Sequence, residues 1–210
     1  MVSSNGDSTS NTLLEEPLTV PTDIDIMELF SNGLRQTPKN VGLNVGKNHR
    51  YMSGRMRDLK DRGYLREVMT DGEGGRMTII TDLGHVVAAQ IERYRRSHHV
   101  TFDRVCRKIL EHSETTSEPY TIVIDSSSGL YSCLEQCVVY DGLVIASVLA
   151  DSIEADSHQA IKENGADDLL YELFLYGLVE REDDIPVYKV TEKGREVFST
   201  ERKQIEVSVP

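Results

Sequence analysis

The stretch TPKNVGLNVGKNHRYMSGRMRDLKDRGYLREV, residues 37–68, predicts two short helices followed by a strand. Thr37 is a favourable N-cap residue, and Pro38 suits the first position of the helix that follows it. Gly46 breaks this helix, and a second one is expected over residues 47–62 because apolar side chains recur there with helical spacing. Beyond that point the alternation changes to the period of an extended strand.

The helix expected over residues 47–62 has an apolar face and a basic face. At 100° per residue Met52, Met56 and Leu59 lie on one stripe, which would pack on the preceding helices. The acids Asp58 and Asp61 come late, so the N-terminal half can approach phosphates, and arginine can hold guanine O6 and N7 with two hydrogen bonds. The pattern predicts a recognition helix for double-stranded DNA, with a solvated amphipathic helix as the alternative. The predicted base or phosphate contacts here are Lys47, Asn48, His49, Arg50, Tyr51, Ser53, Arg55 and Arg57.

The flanking segments extend this pattern to residues 22–97. A first helix is expected from Thr22 or Asp23, and YLREVMT and RMTIIT are expected to be strands joined by the DGEGG turn. A further helix, capped by Thr81 or Asp82, follows them. Helix, helix, helix, strand, wing, strand, helix is the order of a winged helix-turn-helix domain. Thr37 and Lys39 are the additional predicted phosphate contacts, and Arg76 is the predicted wing contact.

The same segment resembles the winged-helix regulators of archaea, especially the repressor-like proteins of haloarchaeal viruses and chromosomes. The shared pattern is a capped helix, a glycine turn, a polar start and an R-x-R-x-L-x-x-x-G-Y/L-L ending, here Arg55, Arg57, Leu59, Gly63, Tyr64 and Leu65. The resemblance covers about residues 22–97 and implies a dimeric, sequence-specific transcription regulator. The family's usual turn carries Ser or Thr where this chain has Lys47 and Asn48, so its base preference does not carry over.

A fainter copy of the pattern follows in the second half of the chain. The matched pairs are Gly63 with Gly177, Leu65 with Val179, Thr81 with Thr191 and Gly84 with Gly194. The predicted fold class is therefore α+β and mainly helical, with an N-terminal winged helix-turn-helix and a second winged-helix-like unit at residues 141–200. Chance is the alternative, because strand, T-x-x-G, helix is a common order. Residues 98–140 are predicted to be a connecting α/β segment, residues 1–21 a disordered tail and residues 201–210 a C-terminal tail.

The second half carries the negative charge of the chain, whose formal net charge is -12. Lys plus Arg balance Asp plus Glu over residues 1–100, so the whole excess falls on residues 101–210. ADDLLYELFLYG, residues 166–177, corresponds to the basic helix but has no cation, and DNA would repel it. It is predicted to form a homodimer interface or to dock another protein, with a buried core helix as the alternative. Apolar residues also recur with coiled-coil-like spacing in the segment after the wing, and they could pair two subunits. The predicted dimerisation residues are Leu83, Val86, Val87, Ile91 and Tyr94 from that segment and Leu170 and Phe174 from the acidic helix.

Composition favours a cytoplasmic protein without catalytic activity. The sequence has no run of about 18 apolar residues, so no membrane span is predicted. The N-terminus does not resemble a signal peptide, and three cysteines, an odd number, are typical of a reducing compartment. No Ser/His/Asp, G-x-S-x-G or H-E-x-x-H pattern occurs, so no catalytic residue, cofactor or metal site is predicted. Cys106, Cys133 and Cys137 are expected to be buried free thiols, with metal binding or redox sensing as the alternative. The acidic composition is typical of salt-loving organisms, although an ordinary acidic protein can share it.

These patterns together predict a repressor-like regulator of transcription that binds double-stranded DNA as a homodimer. The acidic half would supply dimerisation or a protein-docking surface. Two alternatives remain at this level: a winged-helix adaptor that binds proteins and no DNA, and an initiator of replication or plasmid partition.

Overall fold

The computed structural model of the chain describes residues 16–31, 33, 35–69, 77–146, 149, 165–182, 187–200 and 204–207. The chain divides into two compact units, residues 1–110 and residues 111–209. Both are α+β, and the described ranges contain eight α-helices and small antiparallel sheets. The division falls within the longest of these helices, whereas the sequence had suggested a connecting segment over residues 98–140.

The first unit follows the predicted element order. Its elements are α1 (Thr22–Phe30), α2 (Pro38–Val45), α3 (His49–Asp61), β1 (Leu65–Val68), β2 (Met77–Ile80), α4 (Asp82–Ala89), two short 3-10 turns (Ile91–Arg93 and Arg96–His98) and the start of α5 (His99–Thr115). β1 and β2 are antiparallel with Leu65 opposite Ile80, and Gln36 pairs with Thr78 on the other side of β2. The predicted strands are confirmed, while the turn between them, residues 70–76, lies outside the described residues.

Local hydrogen bonds explain where α2 and α3 begin and end. The Thr37 hydroxyl accepts the N–H of Asn40 at 3.4 Å, which confirms the predicted cap of α2. Gly46 ends α2 with φ of 69°, a left-handed conformation that glycine adopts without a steric penalty. Asn48 is extended and its side-chain oxygen accepts the N–H of Tyr51 at 2.8 Å. Helix α3 therefore begins at His49, two residues later than the sequence suggested, because Asn48 is its cap.

The core of the first unit lies beneath α3. Met52, Met56 and Leu59 are buried, as their spacing predicts, and α3 packs against α1 and α2. Burial of each such side chain stabilises the fold by about 1.5–3 kcal/mol relative to exposure. The buried apolar side chains that α1 and α2 contribute are Ile24, Ile26, Met27, Phe30 and Val41.

The N-terminal boundary of the first unit differs from the prediction. Helix α1 begins at Thr22 after Pro21, and neither Thr22 nor Asp23 caps it. Instead the Asp23 carboxylate accepts the N–H of Thr19 at 2.6 Å. Leu18 is fully buried, and its N–H donates to the Tyr94 hydroxyl at 2.6 Å. The predicted disordered tail over residues 1–21 is thus wrong for its last residues, because burial of Leu18 and these two bonds fix the chain before α1.

The long amphipathic helix predicted after the wing is interrupted. The Thr81 cap is confirmed, since its hydroxyl accepts the N–H of Gly84 at 3.1 Å, but α4 ends at Ala89. Tyr94 then packs edge-on against Phe102, with ring centroids 5.5 Å apart, and burial raises its pKa to about 12. The prediction of a continuous coiled-coil-like stripe along one helix is therefore wrong. Val87 and Tyr94 are buried within their own unit, whereas Leu83 and Val86 are half-buried on α4 and Ile91 is half-buried on the 3-10 turn that follows it.

The second unit contains two small sheets and three helices within its described residues, besides the end of α5. They are β3 (Tyr120–Val123), α6 (Gly129–Tyr140), β4 (Val144–Ile145), α7 (Ala166–Leu175), β5 (Val179–Arg181), β6 (Val187–Val190), α8 (Glu192–Ser199) and β7 (Gln204–Val207). One sheet has the order β4-β6-β5, and β3 pairs with β7 in the other. The predicted C-terminal tail is wrong for residues 204–207, because Ile205 and Val207 alternate inward as buried strand residues.

The sequence match between the halves corresponds to repeated local geometry. Thr81 and Thr191 each donate a hydroxyl hydrogen bond to the carbonyl of the preceding turn glycine, at 2.6 and 2.9 Å. Each also accepts the N–H of the glycine three residues later, Gly84 or Gly194, at 3.1 Å. A Cβ on either glycine would overlap a carbonyl oxygen of that turn. Both units therefore close a helix–strand–strand–helix arrangement with the same threonine and glycine, which a chance match does not explain. Within the described ranges every helix is too short or too polar to cross a bilayer.

Candidate nucleic-acid interface

Helix α3 and the turn before it gather most of the predicted DNA contacts on one exposed surface, which we call the α3 face. The exposed members are Lys47, Asn48, His49, Arg50, Tyr51 and Arg57, and Ser53 is half-exposed. Arg50 and Arg57 are seven residues apart, which puts them within about 20° of each other around the helix. The buried methionine stripe lies beneath them, so packing on α1 and α2 determines which side of α3 is outward.

The α3 face is positive near the start of the helix. No acid occurs in the first turn of α3, and the first carboxylate along it, Asp58, is bonded to Arg55. Asp61 is exposed at the far end of α3. The cations Lys47 and Arg50 therefore create a local positive potential although the chain as a whole has a net charge of -12.

Arg55 does not belong to the α3 face. Its Nε donates to Asp23 Oδ1 at 2.9 Å, its Nη2 contacts Asp23 Oδ2 at 2.5 Å, and its Nη1 donates to Asp58 Oδ2 at 2.9 Å. The hydrogen bond with Asp23 is the main reason that the pKa of Arg55 is raised. The predicted DNA contact at Arg55 is therefore corrected, because the guanidinium joins α3 to α1 inside the unit.

The seven cations between residues 47 and 66 have different roles. Lys60 pairs with Glu67 at 2.5 Å, which links α3 to β1. Arg62 is buried, donates to the Glu16 carbonyl and accepts at its own carbonyl from Arg107. Together with Arg55 they hold the unit together. The exposed remainder is Lys47, Arg50, Arg57 and Arg66.

Several of the predicted contact residues also have local structural partners. The Asn48 oxygen caps α3, which leaves its amide NH2 group to donate to a ligand. His49 Nε2 lies 3.5 Å from the Ser53 hydroxyl, one helical turn away. Lys39 is exposed on the first turn of α2, next to Thr37, whose hydroxyl caps that helix. Arg76 lies outside the described residues and stays a prediction.

A glycine allows α2 and α3 to approach each other closely. A Cβ on Gly42 would lie 2.8 Å from the Lys47 carbonyl oxygen and 3.5 Å from Met52 Cγ. The Lys47 N–H also donates to the Gly42 carbonyl at 2.9 Å. The position of Lys47 at the edge of the α3 face therefore depends on Gly42.

A buried polar cluster beyond the end of α3 was not predicted from the sequence. The Tyr64 hydroxyl donates to Asp103, and the Arg107 guanidinium lies 5.9 Å from the centroid of the Tyr64 ring. Burial raises the pKa of Asp103 above its ordinary value, and it also raises the pKa of Tyr64. The only sequence signal for this cluster is a carboxylate, Asp103, among the apolar positions of a helix, and its partner is 39 residues away.

The second unit lacks a counterpart of the α3 face among its described residues. With Gly63 and Gly177 superposed in sequence, exposed Arg57 corresponds to Tyr171, which is fully buried. Leu170 and Leu173 are fully buried, and Glu172 is buried with its carboxylate accepting from the Tyr176 hydroxyl at 2.7 Å. Helix α7 is thus a core helix, the alternative reading of this segment. The predicted dimer contact at Leu170 is wrong, because its own unit covers it.

The remaining predicted dimer contact of α7, Phe174, is half-buried, with its ring centroid 5.9 Å from that of Tyr171. The three cysteines are buried free thiols, as predicted. Burial raises the pKa of Cys106, Cys133 and Cys137 to about 12, so these thiols are neutral and weakly reactive at neutral pH.

Comparison with known proteins yields no relative for the chain. No family model matches it, no curated protein matches it, and no solved structure matches it. The resemblance to winged-helix regulators therefore stays a prediction, and any proposal about function depends on the chemistry of the α3 face.

Proposed function

We propose that the chain is a sequence-specific regulator of transcription, repressor-like, which binds double-stranded DNA as a dimer through a winged helix-turn-helix in its first unit. The observation that carries the proposal is the α3 face: Lys47, Arg50 and Arg57 are exposed on one side of a continuous helix whose first turn has no acid. Such a surface is unusual in a chain with a net charge of -12, because the protein does not need clustered cations in order to stay hydrated.

The dimensions of α3 suit the major groove. The helix has 13 residues and is about 20 Å long, and the groove is about 12 Å wide, which admits one α-helix. Arg50 and Arg57 are separated by about 10.5 Å along the helix axis, or about three base-pair steps. Arginine that grips guanine with two hydrogen bonds discriminates against other bases by about 1–3 kcal/mol.

Other exposed groups are suited to phosphate contacts beside the groove. Lys39 lies on the first turn of α2, where the backbone N–H groups of a helix favour anions. Arg66 is exposed on β1, next to the strand connection that contains Arg76. Under this proposal these cations orient the protein on the duplex, while Arg50 and Arg57 read bases.

The second unit would contribute protein contacts and no DNA contacts. Its described surface has a group of exposed apolar side chains at the end of α6, in the connection that follows it and on β4: Val139, Tyr140, Leu143 and Ile145. Val139 is 68% exposed and Leu143 is 59% exposed, which is unusual for a patch that only meets water. These side chains support a dimerisation or docking role better than the stripe predicted after the wing, which the end of α4 interrupts.

Selection of bound sequences from random duplex DNA, followed by mobility shifts at matched salt, tests the proposal. We expect a defined site, and at least about a hundredfold weaker binding for Arg50→Glu/Arg57→Glu. Lys108→Glu/Lys189→Glu changes the net charge equally at exposed positions on α5 and β6, and it is expected to bind normally. An adaptor that binds no DNA would enrich no site. An initiator of replication would enrich a site at an origin when the selection uses genomic DNA.

A further inference from the structure

Gly54 occupies the middle of the α3 face, and nothing in the part of the chain that the structure describes requires a glycine there. A Cβ built on it meets no atom within 4 Å, and its φ lies outside the left-handed region. Glycine inside a helix lowers the folding equilibrium constant about two- to fivefold relative to alanine. The fold therefore gains nothing from glycine at this position, and α3 is less stable because of it.

Gly42, Gly84 and Gly194, which also lie within helices, have internal explanations. A Cβ on Gly42 would lie 2.8 Å from the Lys47 carbonyl oxygen, and Cβ atoms on Gly84 and Gly194 would overlap carbonyl oxygens. Close packing between elements requires these three residues. Gly54 differs because no atom of the described residues lies above it, and a bound partner accounts for the missing side chain.

We infer that Gly54 is the point where the backbone of α3 comes closest to the DNA, in contact with the base edges of the major groove. Arg50 is one turn before it and Arg57 one turn after it, both exposed on the same side. Positive charge on both sides of Gly54 favours a polyanion as the partner, and a residue without a side chain lets the backbone of a helix in the major groove approach the base edges. This inference rests on the proposed function and adds a residue that determines specificity through its lack of a side chain.

The repeat offers an internal comparison. Alignment of Gly63 with Gly177 pairs Gly54 with Asp168 on α7, the helix whose opposite and flanking residues are buried in the second unit. The second unit has no exposed basic helix, and it has Asp168 where the first unit has Gly54. Only the helix with a basic face contains the residue that permits close approach.

Gly54→Ala and Gly54→Leu, made in the full chain, test the inference because stability and binding should change in opposite directions. Both substitutions add a neutral helix-forming side chain, and Gly54→Ala should raise Tm by about 2–4 °C. Binding to the selected duplex should weaken at least about tenfold for Gly54→Ala and further for Gly54→Leu. Binding to random-sequence duplex, which depends on phosphate contacts, should change less than about threefold.

The possible results distinguish a failure of the role of Gly54 from a failure of the proposed DNA binding. Equal affinity of the wild type and Gly54→Ala for the selected site, or no further loss with Gly54→Leu, would overturn the role of Gly54 while the proposed function stands. If the wild type binds no duplex at all, the proposed function fails and the inference fails with it. A fall in Tm for Gly54→Ala would also count against the inference, because it would reveal an internal need for glycine.

Discussion

Arg55 on α3 and Asp23 on α1 are joined by two contacts, Nε to Oδ1 at 2.9 Å and Nη2 to Oδ2 at 2.5 Å. The same carboxylate accepts the N–H of Thr19, and its side chain is inaccessible to solvent. One buried carboxylate thus ties the segment before α1 to the helix that carries the exposed cations. The rotation of α3 about its axis depends on this pair as well as on the methionine stripe.

Asp23→Ala should destabilise the first unit by about 3–5 kcal/mol, because it leaves the Arg55 guanidinium partly buried without its main partner. Urea denaturation of the full chain measures the change. Asp61→Ala, at an exposed position of α3, is the control and should change stability by less than about 0.5 kcal/mol. A loss below about 1 kcal/mol for Asp23→Ala would mean that Asp58 alone is sufficient to hold Arg55.

The role of Arg55 illustrates what the sequence could and could not predict. On a helical wheel Arg55 lies about 60° from Met52 and about 160° from Arg57, so the period of α3 already placed it near the buried side. Its spacing to Asp58 also favoured an ion pair. The partner Asp23 is 32 residues away, however, and no local pattern identifies a contact across that distance.

Some helix ends could also be predicted from local sequence, and others could not. Thr37, Asn48 and Thr81 act as caps through bonds to residues three positions later, which local sequence can predict. The end of α4 at Ala89 has no glycine or proline to mark it. There the packing of Tyr94 on Phe102 decides the chain direction, and packing of this kind overrides helix propensity.

The repeated threonine–glycine closure predicts equal sensitivity in both units. Gly84→Ala and Gly194→Ala should each destabilise the protein by about 1–3 kcal/mol, since a Cβ at either position overlaps a carbonyl oxygen and forces the helix away from the turn. Chemical denaturation measures the loss of stability, and amide hydrogen exchange would show that it falls in the unit that carries the substitution. Unequal effects would contradict the structural equivalence of the two closures.

Asp103 predicts a pH dependence of stability with a definite sign. Burial raises its pKa in the folded protein, so between the ordinary carboxyl pKa and the raised value the folded state binds more protons than the unfolded state. This group's contribution therefore favours folding at low pH and declines as pH rises through that window. Asp103→Asn keeps an acceptor for the Tyr64 hydroxyl and removes the titration.

Stability curves from pH 3 to pH 8 test the sign for Asp103. The free energy of unfolding of Asp103→Asn minus that of the wild type should increase as pH rises above about 4. A difference that decreases with pH would mean that Arg107 and Arg62 lower the pKa of Asp103 more than burial raises it.

Lys47 and Arg50 should affect binding in different ways if the α3 face contacts DNA as proposed. Lys47, at the edge of the face, is assigned to a phosphate, so Lys47→Ala should weaken binding to all sequences alike and reduce the slope of log K against log salt by about 1. Arg50→Ala should cost about 1–3 kcal/mol on the selected site and relax the preference at one base pair. Lys60→Ala is the control, because Lys60 is already paired with Glu67. Identical losses for Lys47→Ala and Arg50→Ala on selected and random duplexes would indicate purely electrostatic binding without base readout.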